Sequence, residues 1–327
     1  MSEPTIISVQ IGDTSREIAV PRSWDDLDNK KALLYYNTLF TTSNTAVQAD
    51  AFTAVKLISI TGHILGMGAD FLPRWESDCI AEDAELGHLT FLDELKQVMV
   101  PALKGLFEVL EDEDGGTSYA VKYNRTKNLW PVLTHTDADR RGHAGKTTWY
   151  YAPKDGLDNL SLYELAYTFS TYEAYVQSGD EKYVHQLIGA LYRPSRPRTR
   201  EETESAWHGD RRQPLRHYEG AVDRRARMAA TLPVLTRRMI VFWFASCREA
   251  IAKRYPKVFV KSEDASMGRG SNYGWGAVLL GIAGGPVGLD AVADQHHSNA
   301  LTWLSMKEDE RRRMEEEMER AKNKRNR

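Results

Sequence analysis

Apolar and polar residues alternate at the start of the chain: Ile7, Val9 and Ile11, then Ile18 and Val20 beyond the break at Gly12-Asp13. A period of two marks a half-buried strand, and the glycine-containing break predicts a hairpin over residues 5–20. Pro21 ends it. Ser23, followed by Asp25 and Asp26, predicts a helix start with Ser23 as N-cap. The period then lengthens to that of a helix through Leu33, Leu34, Tyr36, Leu39 and Phe40, and again through Ala51, Val55, Ile58 and Leu65. A third leucine-rich pattern over residues 86–110 predicts a helix that Pro101 kinks or divides. Residues 111–118 read as an acidic turn. Alternation at Tyr119, Val121 and Tyr123 predicts a second hairpin over residues 119–133, followed by a polar loop at 135–146.

The second half is dominated by helical spacing. Helices are predicted over residues 160–179, starting near Asn159 or Ser161 and stopped by Gly179, and over residues 180–191. The most apolar one spans residues 232–255 and ends before Pro256. Shorter ones follow at 275–282 and 289–303, and a charged helix with Met314 and Met318 at i,i+4 covers 307–327. Residues 193–227 interrupt this pattern with ten arginines, six acidic residues and three prolines, which predicts a long exposed connection or arm. The expected fold is mainly α (α+β): a multi-helix body with two small β-hairpins and a long charged terminal helix. The expected divisions are 1–192, 193–227 and 228–327.

Composition narrows the function classes. In 327 residues, 42% are hydrophobic and 27% charged, which excludes wholesale disorder. A formal net charge of -3 argues against a general nucleic-acid binder. The start has no charged n-region and apolar h-region, so no signal peptide is expected, and no apolar run reaches the roughly 20 residues of a bilayer span. A soluble protein without membrane partners is the expectation. The two cysteines, Cys79 and Cys247, form no C-x-x-C pair and read as reduced thiols in or near the core.

Chemical motifs are sparse. His135, Asp137, Asp139 and His143 are metal-ligating residue types, but their spacing fits no zinc or calcium pattern, so a solvated loop is the plainer reading. Asp290, Asp294 and His297 share one helical face if the helix is continuous, and such a face can hold a metal. Gly268-Arg269-Gly270 and Gly274-Trp275-Gly276 lack the spacing and preceding strand of a dinucleotide loop. Gly145-Lys146-Thr147 lacks the upstream glycine of a P-loop, since position 140 is Arg. No nucleophile elbow and no H-E-x-x-H occurs. No cofactor and no catalytic residue is assigned. Within 193–227, Arg196, Arg198, Arg200, Trp207, Arg211, Arg212, Arg216 and Tyr218 are the candidate partner-binding residues, because Arg, Trp and Tyr dominate binding hot spots. The same arginine-aromatic mixture can contact a phosphate backbone, though the interspersed acids oppose that.

Five short signatures occur in order along the chain. They are Pro21-Arg22-Ser23-Trp24-Asp25-Asp26-Leu27, Asn159-Leu160-Ser161-Leu162-Tyr163-Glu164-Leu165, Leu191-Tyr192-Arg193-Pro194, Trp243-Phe244-Ala245-Ser246-Cys247-Arg248 and Tyr255-Pro256-Lys257-Val258-Phe259. Together, over about residues 20–305, the set resembles proteins carried by phages and prophages of Bacteroidetes-type bacteria, from the structural and tail-assembly part of those genomes. The resemblance implies a non-catalytic virion component or assembly factor. It would act in the host cytoplasm during assembly through contacts with other virion or assembly proteins or with copies of itself. It carries over no functional residues. The alternatives are a metal-dependent enzyme using the His135–His143 loop and a nucleic-acid-binding accessory protein.

Overall fold

A computed structural model describes residues 5–11, 14–40, 60, 61, 64, 102–111, 117–138, 144–196, 210–216, 220–259 and 274–325. The fold is mainly α with small two-stranded antiparallel sheets. The chain divides into two compact units, Met1–Arg125 and Thr126–Arg327.

In the first unit, β1 (Thr5–Ile11) and β2 (Thr14–Val20) form the expected hairpin, with Ile7 opposite Ile18. Ser23 does not cap an α-helix. It precedes a single 3-10 turn, Trp24–Asp26, without a side-chain capping bond, and α1 begins only at Asn29, running to Phe40. The reason is Trp24. Its indole is fully buried and its Nε1 donates to the Leu106 carbonyl at 3.2 Å. Its backbone N–H donates to Asn124 Oδ1 at 3.0 Å, and its carbonyl accepts from the buried Arg125 guanidinium at 2.7 Å. Those long-range bonds fix the backbone where a local helix would otherwise begin. Arg125 also donates to Asn29 Oδ1 at 3.1 Å, tying the start of α1 to the same anchor.

Residues 107–110, expected to end the helix of 86–110, are strand. β3 (Phe107–Glu111) pairs antiparallel with β4 (Thr117–Val121) across the acidic turn. The leucine spacing fits a helix. The β-favouring Phe107-Glu108-Val109 run instead finds a partner strand, and the buried Phe107 ring meets Trp24 edge-on at 6.4 Å. The hairpin expected over 119–133 is therefore corrected, since residues 117–121 pair backward with 107–111. Most of the predicted helix through Ala51 to Leu65 lies outside the described residues, apart from Ile60, Thr61 and Ile64, which are helical; most of that over 86–110 and Cys79 lie outside them too.

The second unit carries a third hairpin, β5 (Val132–Ala138) with β6 (Ala144–Tyr151), where a polar loop was expected. Its polarity comes from threonines, which suit an exposed strand face. Thr136 and Thr147 bond across the pair at 2.9 Å. Helices follow: α2 (Leu162–Ser178), α3 (Glu181–Leu191), α4 (Gly220–Ala230), α5 (Val234–Arg254), α6 (Gly274–Ala283), α7 (Leu289–Ala293) and α8 (His297–Arg325). Ser161 and Glu164 form a capping box at the start of α2, Gly179 takes the left-handed conformation that ends it, and Asp180 caps α3 through the Lys182 N–H.

Helix α5 is buried on every side from Met239 to Cys247, the pattern of a central core helix. Cys247 is a buried thiol whose Sγ donates to the Thr126 carbonyl at 3.7 Å. Phe169 of α2 packs edge-on against Phe244 at 5.8 Å and against Trp275 of α6 at 5.5 Å. Trp243 Nε1 donates to the Thr126 carbonyl at 2.8 Å.

The boundaries expected at 192 and 227 do not separate structural units, because α3 and α4 are packed face to face across them. Gly189 makes this approach possible. A Cβ there would sit 2.9 Å from the Ala226 nitrogen and 3.1 Å from the Val222 oxygen. Gly189→Ala is expected to lower stability by about 1–3 kcal/mol in denaturant unfolding. Gly276→Ala, with nothing within 4 Å of its added methyl, is expected to raise it by about 0.5–1 kcal/mol through helix propensity. Equal effects at the two sites would contradict the packing described.

Candidate functional site

The arginine-rich excursion begins and ends inside the second unit. Residues 193–196 run antiparallel to 210–213. The Arg196 N–H donates to the Arg211 carbonyl at 3.0 Å, the Gln213 N–H donates to the Pro194 carbonyl at 2.9 Å, and Ser195 bridges Arg212. Arg193 also exchanges backbone bonds with Tyr151 of β6, at 2.8 and 3.1 Å.

Two arginine side chains turn inward from this base. Arg193 is 0% exposed; its Nη1 donates to Glu164 Oε1 and to the Gln213 carbonyl, both at 2.5 Å, and its Nη2 donates to Asp210 Oδ2 at 3.1 Å. Arg212, also buried, donates from Nε to Asp210 at 2.9 Å and from Nη1 to the Leu191 carbonyl at 2.6 Å, with Nη2 3.7 Å from Glu164. Two cations thus face two carboxylates, so each buried charge is matched. Burial, with Arg193 close by, pushes the Arg212 guanidinium below its ordinary value. Arg225 of α4 is buried beside them. Its Nε donates to the Gly189 carbonyl at 2.6 Å, and desolvation lowers its value to about 10. Above the network, Tyr192 is fully buried. Its hydroxyl bonds Asn128 and donates to the Trp130 carbonyl at 2.9 Å, and burial raises its value.

The exposed-arm expectation is therefore corrected at both ends of the segment. Arg212 is an internal structural residue and offers no free surface. Arg216 reaches α7, pairing with Asp290 at 3.0 Å and Asp294 at 3.5 Å. Arg196 and Arg211 are half-buried at the base of the segment, and Arg196 Nη2 donates to the Asp210 carbonyl at 3.4 Å. Arg198, Arg200, Trp207 and Tyr218 lie outside the described residues. The acids these arginines meet are in their own chain. Glu164 lies 29 residues from Arg193, and no local pattern marks the pair.

The two candidate metal clusters fare differently. His135 sits on β5 opposite Thr148, while Asp139 and His143 lie outside the described residues. Asp290, Asp294 and His297 do not share a helical face, because the helix breaks between α7 and α8. Asp290 and Asp294 take Arg216, and His297 is buried with Nδ1 donating to the Leu160 carbonyl at 3.0 Å. Burial lowers the His297 value. Among the described residues no three metal-capable side chains converge, and no helix is long and apolar enough to cross a membrane.

Among the described residues, two open surfaces stand out. One is a groove of about 340 Å³ between α2, α3 and α6, lined by Tyr163, Tyr167, Ser170, Tyr183 and Trp275. The other is α8. Its first turns are anchored by the buried Ala300 and Leu301, and Lys257 holds Asp309 at 2.7 Å. Every residue from 310 to 324 is exposed, a length of roughly 22 Å. Ion pairs between neighbouring turns brace this stretch: Glu308 with Arg311 and Arg312, Arg311 with Glu315, and Glu316 with Arg320. Hydrogen bonds from Arg311 and Arg312 pull the Glu308 carboxyl down to about 2.

No protein-family model matches the chain, and no curated protein or solved structure is significantly similar to it.

Three outcomes follow from this geometry. Glu164→Gln keeps the capping box but removes the carboxylate facing Arg193, and is expected to cost about 3–5 kcal/mol in denaturant unfolding. Arg216→Met, whose partners are mostly exposed, is expected to cost less than about 1 kcal/mol. For His297, the folded value lies below the ordinary 6.5, so protonation favours the unfolded chain. Stability conferred by neutral His297 is complete above that value and falls as pH drops below it. Urea midpoints measured between about pH 7 and about pH 5 should decline, and His297→Asn should flatten that decline. An unchanged slope in the variant would remove His297 as its source.

Proposed function

We propose that this protein is a non-catalytic phage structural or virion-assembly component that works through its surfaces, in the host cytoplasm during assembly. The observation that supports it is α8. A well-braced helix carries 15 consecutive exposed residues, 310–324, past its last anchor on the body. An isolated helix of this length in water gains nothing for the core, whereas in an assembly it offers a rigid contact face. Exposed Trp303, Met306, Met314 and Met318 give that face apolar side chains of the kinds enriched at interfaces. The order of signatures resembling phage structural and tail-assembly proteins supports the same reading. The partners are other virion or assembly proteins or copies of this chain.

The test is genetic. In a phage or prophage carrying this gene, in-frame deletion is expected to abolish intact particles in electron micrographs of the lysate. The full chain supplied in trans should restore them, and a chain ending at Met306 should not. Normal particles from the deletion would sink the assembly role. Full rescue by the shortened chain would sink the role of α8.

A further inference from the structure

The exposed part of α8 carries the run Arg311-Arg312-Arg313-Met314-Glu315-Glu316-Glu317. Its charges are antisymmetric about Met314: reversing the direction of the helix exchanges positive for negative. We propose that α8 docks antiparallel against α8 of a second copy of this chain, with the two Met314 side chains at the crossing point. This rests on the reading of α8 as a contact helix and names its partner.

The geometry of the helix carries the argument. At about 100° per residue, Trp303, Lys307, Glu310, Met318 and Ala321 all point within about 40° of Met314. Trp303, Met314 and Met318 are exposed, the methionines by 58% and 64%. Arg311 and Glu315 flank this stripe on one side, and Arg313 and Glu317 on the other. In a two-fold antiparallel pair, the same flank of each helix meets itself with the direction reversed. Arg311 then lies about 3 Å along the axis from the partner copy's Glu315, and Arg313 the same distance from its Glu317. These four contacts join opposite charges and outnumber the two like-charge approaches at the same axial offset, Arg313 to Arg313 and Glu315 to Glu315 of the partner copy. In a parallel pair the opposite flanks meet, which sets Arg311 near Arg313 and Glu315 near Glu317 of the other copy. Four of the contacts at that offset then join like charges, and only the two between Arg313 and Glu315 join opposite ones, the reverse of the antiparallel balance. The run therefore selects the antiparallel arrangement.

The intrahelical bonds leave part of this charge available. Arg311 is engaged with Glu308 and Glu315, while Arg313 and Glu317 make no ion pair among the described residues. The flank bearing Arg313 and Glu317 is thus the one whose charges a second copy would satisfy first.

The experiment uses the full chain and measures mass by light scattering after size exclusion. Wild-type protein is expected at twice the chain mass, falling to the chain mass on dilution and in high salt. Arg311→Glu with Arg313→Glu makes both flanks of the stripe acidic around Met314, and Glu315→Arg with Glu317→Arg makes both basic. Each double variant is expected at the chain mass, with helix content unchanged by circular dichroism. An equimolar mixture of the two is expected to return to twice the chain mass, which also shows that each variant is folded. Wild-type protein at the chain mass at every concentration would overturn the proposal. So would double variants that keep twice the chain mass, or a mixture that fails to pair. None of these results bears on whether the chain ending at Met306 supports particle assembly, so failure of self-pairing is separable from failure of the contact-helix reading.

Discussion

Pairing of the Arg193 and Arg212 guanidinium groups with the Glu164 and Asp210 carboxylates is the constraint on which the second unit is built. Ionised groups removed from water are costly unless each meets an opposite charge and its remaining hydrogen-bond donors find acceptors. Here the acceptors are backbone carbonyls at Leu191 and Gln213, so the network also fixes the chain path on either side of the excursion. Tyr151 of β6, the first turn of α2, the end of α3 and the return strand at 210–213 are all held to one point. Removing a single partner disturbs four segments at once.

That anchoring accounts for the rest of the unit. With its first turn fixed by Glu164, α2 presents Phe169 to the aromatic cluster of α5 and α6. With its end fixed at Tyr192, α3 lets Gly189 accept the close approach of α4. Arg216 carries the linkage on to α7, next to the break before α8. The body thereby anchors the start of α8, whose residues from 310 to 324 are all exposed beyond the Lys257–Asp309 pair. The first unit uses the same logic with a neutral residue. Trp24 is its hub, gathering Asn124, Arg125 and Leu106.

Much of this was legible in the chain. Helix periodicity, Ser161, Gly179, Asp180 and Pro256 mark α2, α3 and α5 because capping and termination are local chemistry. Alternation around Gly12-Asp13 marks the first hairpin. The other two hairpins are hidden in the sequence for two reasons. At 107–111 the leucine spacing suits a helix as well as a strand, and only the pairing with 117–121 decides. The polar run at 135–146, rich in Asp, Arg and His, has no hydrophobic alternation to reveal it, and the strand state of its described ends, 135–138 and 144–146, depends on the cross-strand register.

The sequence by itself determined the mainly helical class, the positions of the capped helices and the charged terminal helix with its antisymmetric run, since each depends on residues within a few turns of one another. Only the tertiary structure decided the fate of the arginines. Whether a guanidinium faces solvent, a partner or a carboxylate of its own chain depends on what folding brings beside it, and Glu164 reaches Arg193 only through the packing of α2 against the base of the excursion. The same packing dissolved the apparent Asp290, Asp294 and His297 face, because the helix breaks where Arg216 and the Leu160 carbonyl claim those side chains.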